Sequence, residues 1–277
     1  MSPEARDLFD LTGRVAVITG GAGLLGVRHA IALASAGAIP ILVDVRADRV
    51  EAEARRVAER TGSPCRGIAC DITSAAAVDA MTDALAAEFG GVDVLINNAA
   101  NNPSVEPTPG TEFTRLEQFT LDRWNADLAV GLTGAFLCSR AIGTRMATRG
   151  SGVIVNVSSD LGLIAPDQRL YRRPGIPDDM QPVKPVTYSV VKSGLIGLTK
   201  YLATYWADRN VRVNAICPGG VYVDQPPDFV ARLSALIPLG RMADPDEYRG
   251  AILFLCSDAS SYMTGATLVV DGGRTTW

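Results

Sequence analysis

Arg14-Val-Ala-Val-Ile-Thr-Gly-Gly-Ala-Gly-Leu-Leu-Gly26 is a short apolar run closed by a cluster of glycines, and the helix-like stretch Val27 to Ala36 follows it. Strand, glycine turn and helix come in the order that a dinucleotide site needs. Residues 21, 23 and 26 spell G-x-G-x-x-G. The glycines allow a tight turn and let the backbone approach a pyrophosphate, whose charge meets the amides and positive dipole at the helix N-terminus. A glycine-rich turn between two packed elements would look the same, so the next strand carries weight. Ile39-Pro-Ile-Leu-Val-Asp44 ends in an acid about twenty residues beyond the glycines, where a ribose 2′-hydroxyl would be bonded. An acid there repels a 2′-phosphate. NAD is therefore expected rather than NADP, although Arg46 and Arg49 stand close enough to offer a phosphate contact.

Outward from this unit the chain alternates. Strand-like runs fall near 14–19, 39–44, 66–70, 92–97, 152–158, 211–216 and 266–271, and helical stretches near 24–37, 46–61, 74–90, 121–148, 187–209 and 244–257. Such alternation implies a parallel sheet covered on both faces, a three-layer, doubly wound α/β fold with seven strands and a cofactor at their carboxyl ends. No linker divides the 277 residues, so a single domain is expected, with the glycine turn at 19–26 and substrate-side loops at 99–120, 159–187 and 218–240.

Tyr188-Ser-Val-Val-Lys192 sets a phenol and an ammonium four residues apart, on one face of any helix they share. A neighbouring ammonium favours the phenolate, so the tyrosine is expected to exchange a proton nearer neutral pH than its ordinary value of about 10 allows. The pair alone arises often by chance. Around it, however, stand Cys70-Asp71, Asn97-Asn-Ala-Ala100, Asn156-Val-Ser-Ser159, Asn214-Ala-Ile-Cys-Pro-Gly219 and Val270-Asp-Gly-Gly273, each after a strand.

With these motifs in order, the chain from about Leu11 to Gly273 resembles the short-chain dehydrogenase/reductase family, single-domain branch. The resemblance implies a Rossmann fold and hydride transfer between a nicotinamide and a secondary alcohol or ketone. It implies Tyr188 as general acid/base, Lys192 as the group that lowers its pKa and holds the nicotinamide ribose, and Ser159 as hydrogen-bond partner of the reacting oxygen. Ser158 competes for that last role, but the distance from Ser159 to Gly162 matches the family pattern. Gly20, Gly23, Leu25, Gly26, Asp44, Asp71, Ile72, Asn98, Ala99, Pro218, Gly219 and Val221 are the cofactor contacts it implies. Family members are often tetramers, so a homo-oligomer, tetramer or dimer, is expected, with Tyr262, Thr264 and Trp277 near one interface.

Three departures stand out. Val130-Gly131-Leu-Thr-Gly134 occupies the place of the family's V-N-L-x-G, whose asparagine helps a water chain relay protons to the lysine. Asn125 and Asp127 are nearby, but a helix is expected to turn them to other faces. The loss admits a non-catalytic dinucleotide-binding member as an alternative. Second, Leu24 falls where the middle glycine of T-G-x-x-x-G-x-G belongs. The resulting spacing resembles the extended branch and admits an epimerase or dehydratase of nucleotide sugars with retained NAD. Third, Ser159 and Tyr188 stand 29 positions apart, where about a dozen is common. The inserted stretch, roughly 164–186, holds five prolines and reads as an ordered cover over the active site. Its Arg169, Tyr171 and Arg172 are candidate substrate residues for a polar, anionic or polyhydroxylated molecule, and Arg173 and Lys184 lie with them. The insert resembles a bacterial subgroup of the family associated with surface-sugar and flagellar-glycan pathways.

Composition narrows the remaining classes. A net charge of −4 argues against a nucleic-acid role, and no apolar run looks long enough to cross a bilayer. Met1-Ser-Pro-Glu-Ala-Arg-Asp7 has neither the basic start nor the apolar core of a signal peptide, so a cytoplasmic protein is expected. Five scattered cysteines fit buried thiols in a reducing compartment, and one histidine, His29, cannot assemble a His-based metal site or a Ser-His-Asp triad.

Overall fold

The computed structural model describes residues 7–101 and 114–277. Its strands are β1 (Val15–Thr19), β2 (Ile39–Asp44), β3 (Arg66–Ala69), β4 (Val94–Asn97), β5 (Gly152–Val157), β6 (Val211–Pro218) and β7 (Thr267–Val270). They form one parallel sheet in the order β3-β2-β1-β4-β5-β6-β7. The strand order reverses between β1 and β4, which opens a crevice at their carboxyl ends.

Helices α1 (Leu24–Ala34), α2 (Ala47–Thr61) and α3 (Ala75–Phe89) follow the first three strands. Between β4 and β5, α4 (Leu121–Leu128) runs through a π turn at Ala129–Thr133 into α5 (Gly134–Arg149). Beyond β5 come α6 (Val186–Tyr205), α7 (Pro227–Ser234) and α8 (Arg249–Cys256). Alternate residues of β1 divide between the two cores: Ala16 and Ile18 pack with α1, α2 and α8, whereas Val15 and Val17 pack with α3, α5 and α6. Both faces of the strand are thus buried, and a fully buried residue such as Ile18 stabilises the fold by roughly 1.5–3 kcal/mol. Ser74 caps α3 by accepting the Ala77 amide at 3.3 Å, and α2 and α3 stop at Gly62 and Gly90 in the left-handed conformation.

A buried polar chain pins the sheet to α6. Asn97 donates to Ser139 at 3.0 Å and to Asn156 at 2.8 Å, and Asn156 donates to Thr199 at 2.8 Å. The continuous helical stretch Leu121–Arg149 is, contrary to the sequence expectation, long and apolar enough to cross a bilayer by length and composition. Half of its most apolar part is buried in the fold, as befits the core helix packed on the sheet.

The insert is ordered by side chains rather than by regular elements. Two 3₁₀ turns, Gln168–Tyr171 and Asp178–Met180, are tied together by buried Gln181, which accepts the Arg173 amide at 2.8 Å and donates to the Arg173 and Ile176 carbonyls. Leu170 packs against Leu233, Ile237 and Met242, Tyr171 meets Phe229 at 5.8 Å between ring centroids, and Arg232 donates to the Leu170 carbonyl at 3.0 Å. Helix α7, absent from the sequence reading, is the surface on which this insert rests. The expected loop 99–120 falls largely outside the described residues.

Candidate active site

A cleft of about 740 Å³ runs along the carboxyl ends of the strands. At one end the backbone builds the wall. Gly20 has φ +61°, and a Cβ there would come within 2.8 Å of Ala99 Cα; one on Gly26 would come within 2.5 Å of the Gly20 carbonyl oxygen. Only glycine permits this turn to lie so close to β4. Asn98 laces the two together, donating from its side chain to the Thr19 carbonyl at 2.9 Å, while the Thr19 hydroxyl accepts the Asn98 and Ala99 amides. Its side chain is therefore spent on the scaffold. Gly20, Gly23, Leu25, Asn98 and Ala99 line the cleft, and Gly26 packs behind it. Leu24 also faces the cleft, exposed where the middle glycine was expected.

Asp44 ends β2 with its carboxylate accepting from Arg46 Nε at 3.0 Å and Nη2 at 3.2 Å. Burial raises its pKa, but the hydrogen bonds and charge of Arg46 outweigh that and leave the carboxyl below its ordinary value. Asp71 is held by the Thr73 hydroxyl and amide, which lower its pKa, and Ile72 sits beside it. A glycine cradle and two ionised carboxylates along a cleft of this size fit a dinucleotide.

At the other end side chains build the wall. Ser159, Tyr188 and Lys192 converge there with Pro218, Gly219 and Val221. The Gly219 carbonyl is fixed by the Tyr248 hydroxyl at 3.1 Å. Ser158 also lines the cleft, but its hydroxyl is engaged, donating to the Lys192 carbonyl at 2.7 Å. Lys192 donates to the Val157 carbonyl at 2.8 Å, and its Nζ lies 5.8 Å from the Tyr188 ring centroid. Burial pushes the ammonium down to about 8, aided by the like charge of Lys184. The expected depression of the tyrosine is not found. Burial raises the Tyr188 pKa, Ser159 opposes it by hydrogen bonding, and the Asp160 charge adds to the rise. Desolvation beats the lysine because the ammonium is bonded to a carbonyl rather than to the phenol.

Several participants escaped the sequence reading. Asp160 accepts the Ser159 hydroxyl at 2.7 Å and pairs with Arg274 at 3.2 Å, both groups almost wholly buried. Nothing local marks two residues 114 positions apart as partners. Within the insert, Tyr171 lines the cleft as expected, and Lys184 places its Nζ 3.8 Å from the Tyr188 ring centroid. Arg169 and Arg172 do not reach it. They pair with Asp167 at 2.7 Å and Asp178 at 3.2 Å on the outer surface, where 83% and 60% of their side chains are exposed. A neighbouring acid and water satisfy a guanidinium there, so neither residue belongs to the pocket wall.

The fold and this cleft define a dinucleotide-dependent oxidoreductase in which a serine, a tyrosine and a lysine line one end of the cleft. The chain belongs to the short-chain dehydrogenases: the family model described as short chain dehydrogenase matches residues 14–171, and one described as enoyl-(acyl carrier protein) reductase matches 179–275. It is 39% identical to D-threitol dehydrogenase of Mycolicibacterium smegmatis over 96% of this chain and 95% of that one. With galactitol 2-dehydrogenase (L-tagatose-forming) of Cereibacter sphaeroides it shares 34% identity over 99% and 100%. A crystal structure of gluconate 5-dehydrogenase from Burkholderia cenocepacia with NADP and tartrate superposes with a TM-score of 0.84 at 31% identity, covering 99% of both chains. Full-length similarity to these dehydrogenases removes the motive for the extended-branch reading that the glycine spacing suggested.

Proposed function

We propose that this protein oxidises a secondary alcohol of a sugar-like polyol, or reduces the corresponding ketone, with NAD. The observation that carries the reading is the meeting of Ser159, Tyr188 and Lys192 with a polar wall of Asp160, Tyr171, Lys184 and Arg274. A polyol finds hydrogen-bond partners there, and its carbon skeleton meets the apolar side chains of Leu170, Phe229 and Leu233. The similarity to threitol and galactitol dehydrogenases supports the same class.

Bound in the glycine cradle, a nicotinamide dinucleotide supplies the hydride acceptor or donor. The protein's part is to orient and to move a proton. Tyr188 takes the hydroxyl proton in oxidation and returns it in reduction, while Ser159, its hydroxyl turning from Asp160 to the substrate, fixes the reacting oxygen. Asp44 favours NAD, because a 2′-phosphate would meet a carboxylate whose Arg46 partner is already engaged at both ends. A second copy of the chain is read as covering the outer faces of α5 and α6, where Phe136, Val190, Tyr201 and Tyr205 are exposed; sedimentation tests this.

The decisive assay follows reduced-nicotinamide absorbance with D-threitol, galactitol and gluconate, using NAD and separately NADP. Turnover with NAD favoured by roughly tenfold or more in kcat/KM, about 1.4 kcal/mol, is expected. Preference for NADP would reassign Arg46 to a phosphate, and silence with intact dinucleotide binding would defeat the reading.

A further inference from the structure

Each oxidation leaves a proton on Tyr188, and the tyrosine must lose it before the next turnover. The family's asparagine cannot serve that exit here. A Cβ on Gly131 would lie 2.5 Å from Val191 Cγ1, so the position has no room for a side chain while Val191 is present. Behind the catalytic pair lies a small separate cavity with room for about one water. Tyr188 and Lys192 form one part of its lining; Gly131, Thr187, Asn101 and Asp127 form another.

Asp127 is the carboxylate of that cavity among the described residues, and it is 8% exposed. It stands four residues before Gly131, one helical turn away on the same face, contrary to the sequence expectation that a helix would turn it elsewhere. The Thr187 hydroxyl donates to its Oδ2 at 2.6 Å and Asn101 Nδ2 to its Oδ1 at 3.3 Å. Asn125, by contrast, is exposed. A buried carboxylate needs hydrogen-bond donors, and Thr187 and Asn101 each supply one to Asp127 here. Its place beside a water-sized cavity shared with Tyr188 and Lys192 gives it a task.

We propose that Asp127 replaces the family's asparagine as the proton relay of this enzyme. In oxidation the hydroxyl proton goes to Tyr188, which must therefore begin each turnover deprotonated although burial raises its pKa, while the hydride leaving carbon would be taken up by a bound nicotinamide. The proton then leaves the Tyr188–Lys192 pair to a water in the cavity, that water passes one to the Asp127 carboxylate, and the acid releases it beside exposed Asn101. Reduction runs the same steps backward. Lys184, Tyr188 and Lys192 are the titratable groups that share the cavity with Asp127. The direction of proton flow rests on the oxidoreductase reading; the existence of the path does not.

Two measurements on Asp127→Asn and Asp127→Glu test it. The chain holds three lysines, at 184, 192 and 200, so ¹⁵N-lysine spectra of the cofactor-free protein report exchange of the Lys192 Nζ hydrogens with water. The proposal expects that exchange to slow at least tenfold in Asp127→Asn and to stay near wild type in Asp127→Glu. In turnover, Asp127→Asn should lower kcat at unchanged KM and raise the solvent deuterium isotope effect, with Asp127→Glu restoring most of both. Equal exchange in all three proteins, or equal losses of kcat in both variants, would reduce Asp127 to an anchor for Thr187 and overturn the relay. If Asp127→Asn fails to fold, Asp127→Glu at wild-type exchange against a slowed Asp127→Ser decides the same question. Should wild type turn over no polyol, the exchange measurement still judges the path while the functional reading alone falls.

Discussion

The two ends of the cleft are built by different means. At the dinucleotide end, backbone approaches backbone: Gly20 and Gly26 press against neighbouring main chain, and the side chain of Asn98 bonds carbonyls of the turn. At the substrate end, the wall consists of side chains from the end of β5, a proline-rich insert, α6 and the segment after β7. The first kind of site needs a short stretch of sequence in one order. The second needs distant segments to arrive together, and it can change its contents without changing the fold.

Replacing the phenol should separate the two ends most sharply. Tyr188→Phe is expected to lower turnover about 10²–10⁴-fold while dinucleotide affinity, read by calorimetry, stays as it was; a parallel loss of affinity would mean that the two ends are not independent. A smaller effect is expected from Gln181→Ala, which strands the Arg173 amide and the Arg173 and Ile176 carbonyls in the insert. It should cost roughly 1–3 kcal/mol in denaturant unfolding and raise KM for the polyol, leaving NAD binding intact. An unchanged KM would show that the insert does not shape the pocket.

The mildest test uses pH. His29, the chain's sole histidine, lies wholly buried within α1, the helix that follows the glycine turn, where burial pushes its imidazole down to about 3. The unfolded chain takes up that proton near pH 6.5 and the folded one does not until about 3. The unfolded state therefore binds more protons between those values, and stability falls as pH drops below about 6.5. His29→Leu should flatten that slope in melting curves; an identical slope would assign acid sensitivity to other groups. At the substrate end, Lys184 and Lys192 give up protons at about 8, so changes there belong to alkaline pH.

The same division governs what the sequence disclosed. All seven strands and the glycine turn followed from apolar runs and local spacing, because each is decided within a dozen residues. Tyr188 and Lys192 were legible because four positions on a helix fix their neighbourhood. Arg169 and Arg172 misled, since charge in a loop says nothing about which side it faces, and their neighbours Asp167 and Asp178 hold them outward. Tyr171 from the same insert turned inward through packing on α7, an element that proline-rich flanks concealed, and Lys184 turned inward over the Tyr188 ring. Asp127 needed only the helical count from Gly131, and Val191 supplied the reason for the glycine that no spacing revealed.

Arg274 comes from the segment after the last strand and Asp160 from the turn after the fifth, yet they meet against Ser159. A chain whose dinucleotide half has condensed early must therefore still wait for its sheet edge to close before Ser159 is set. The setting of Ser159 thus reports the whole sheet, down to its last strand, rather than the dinucleotide half alone.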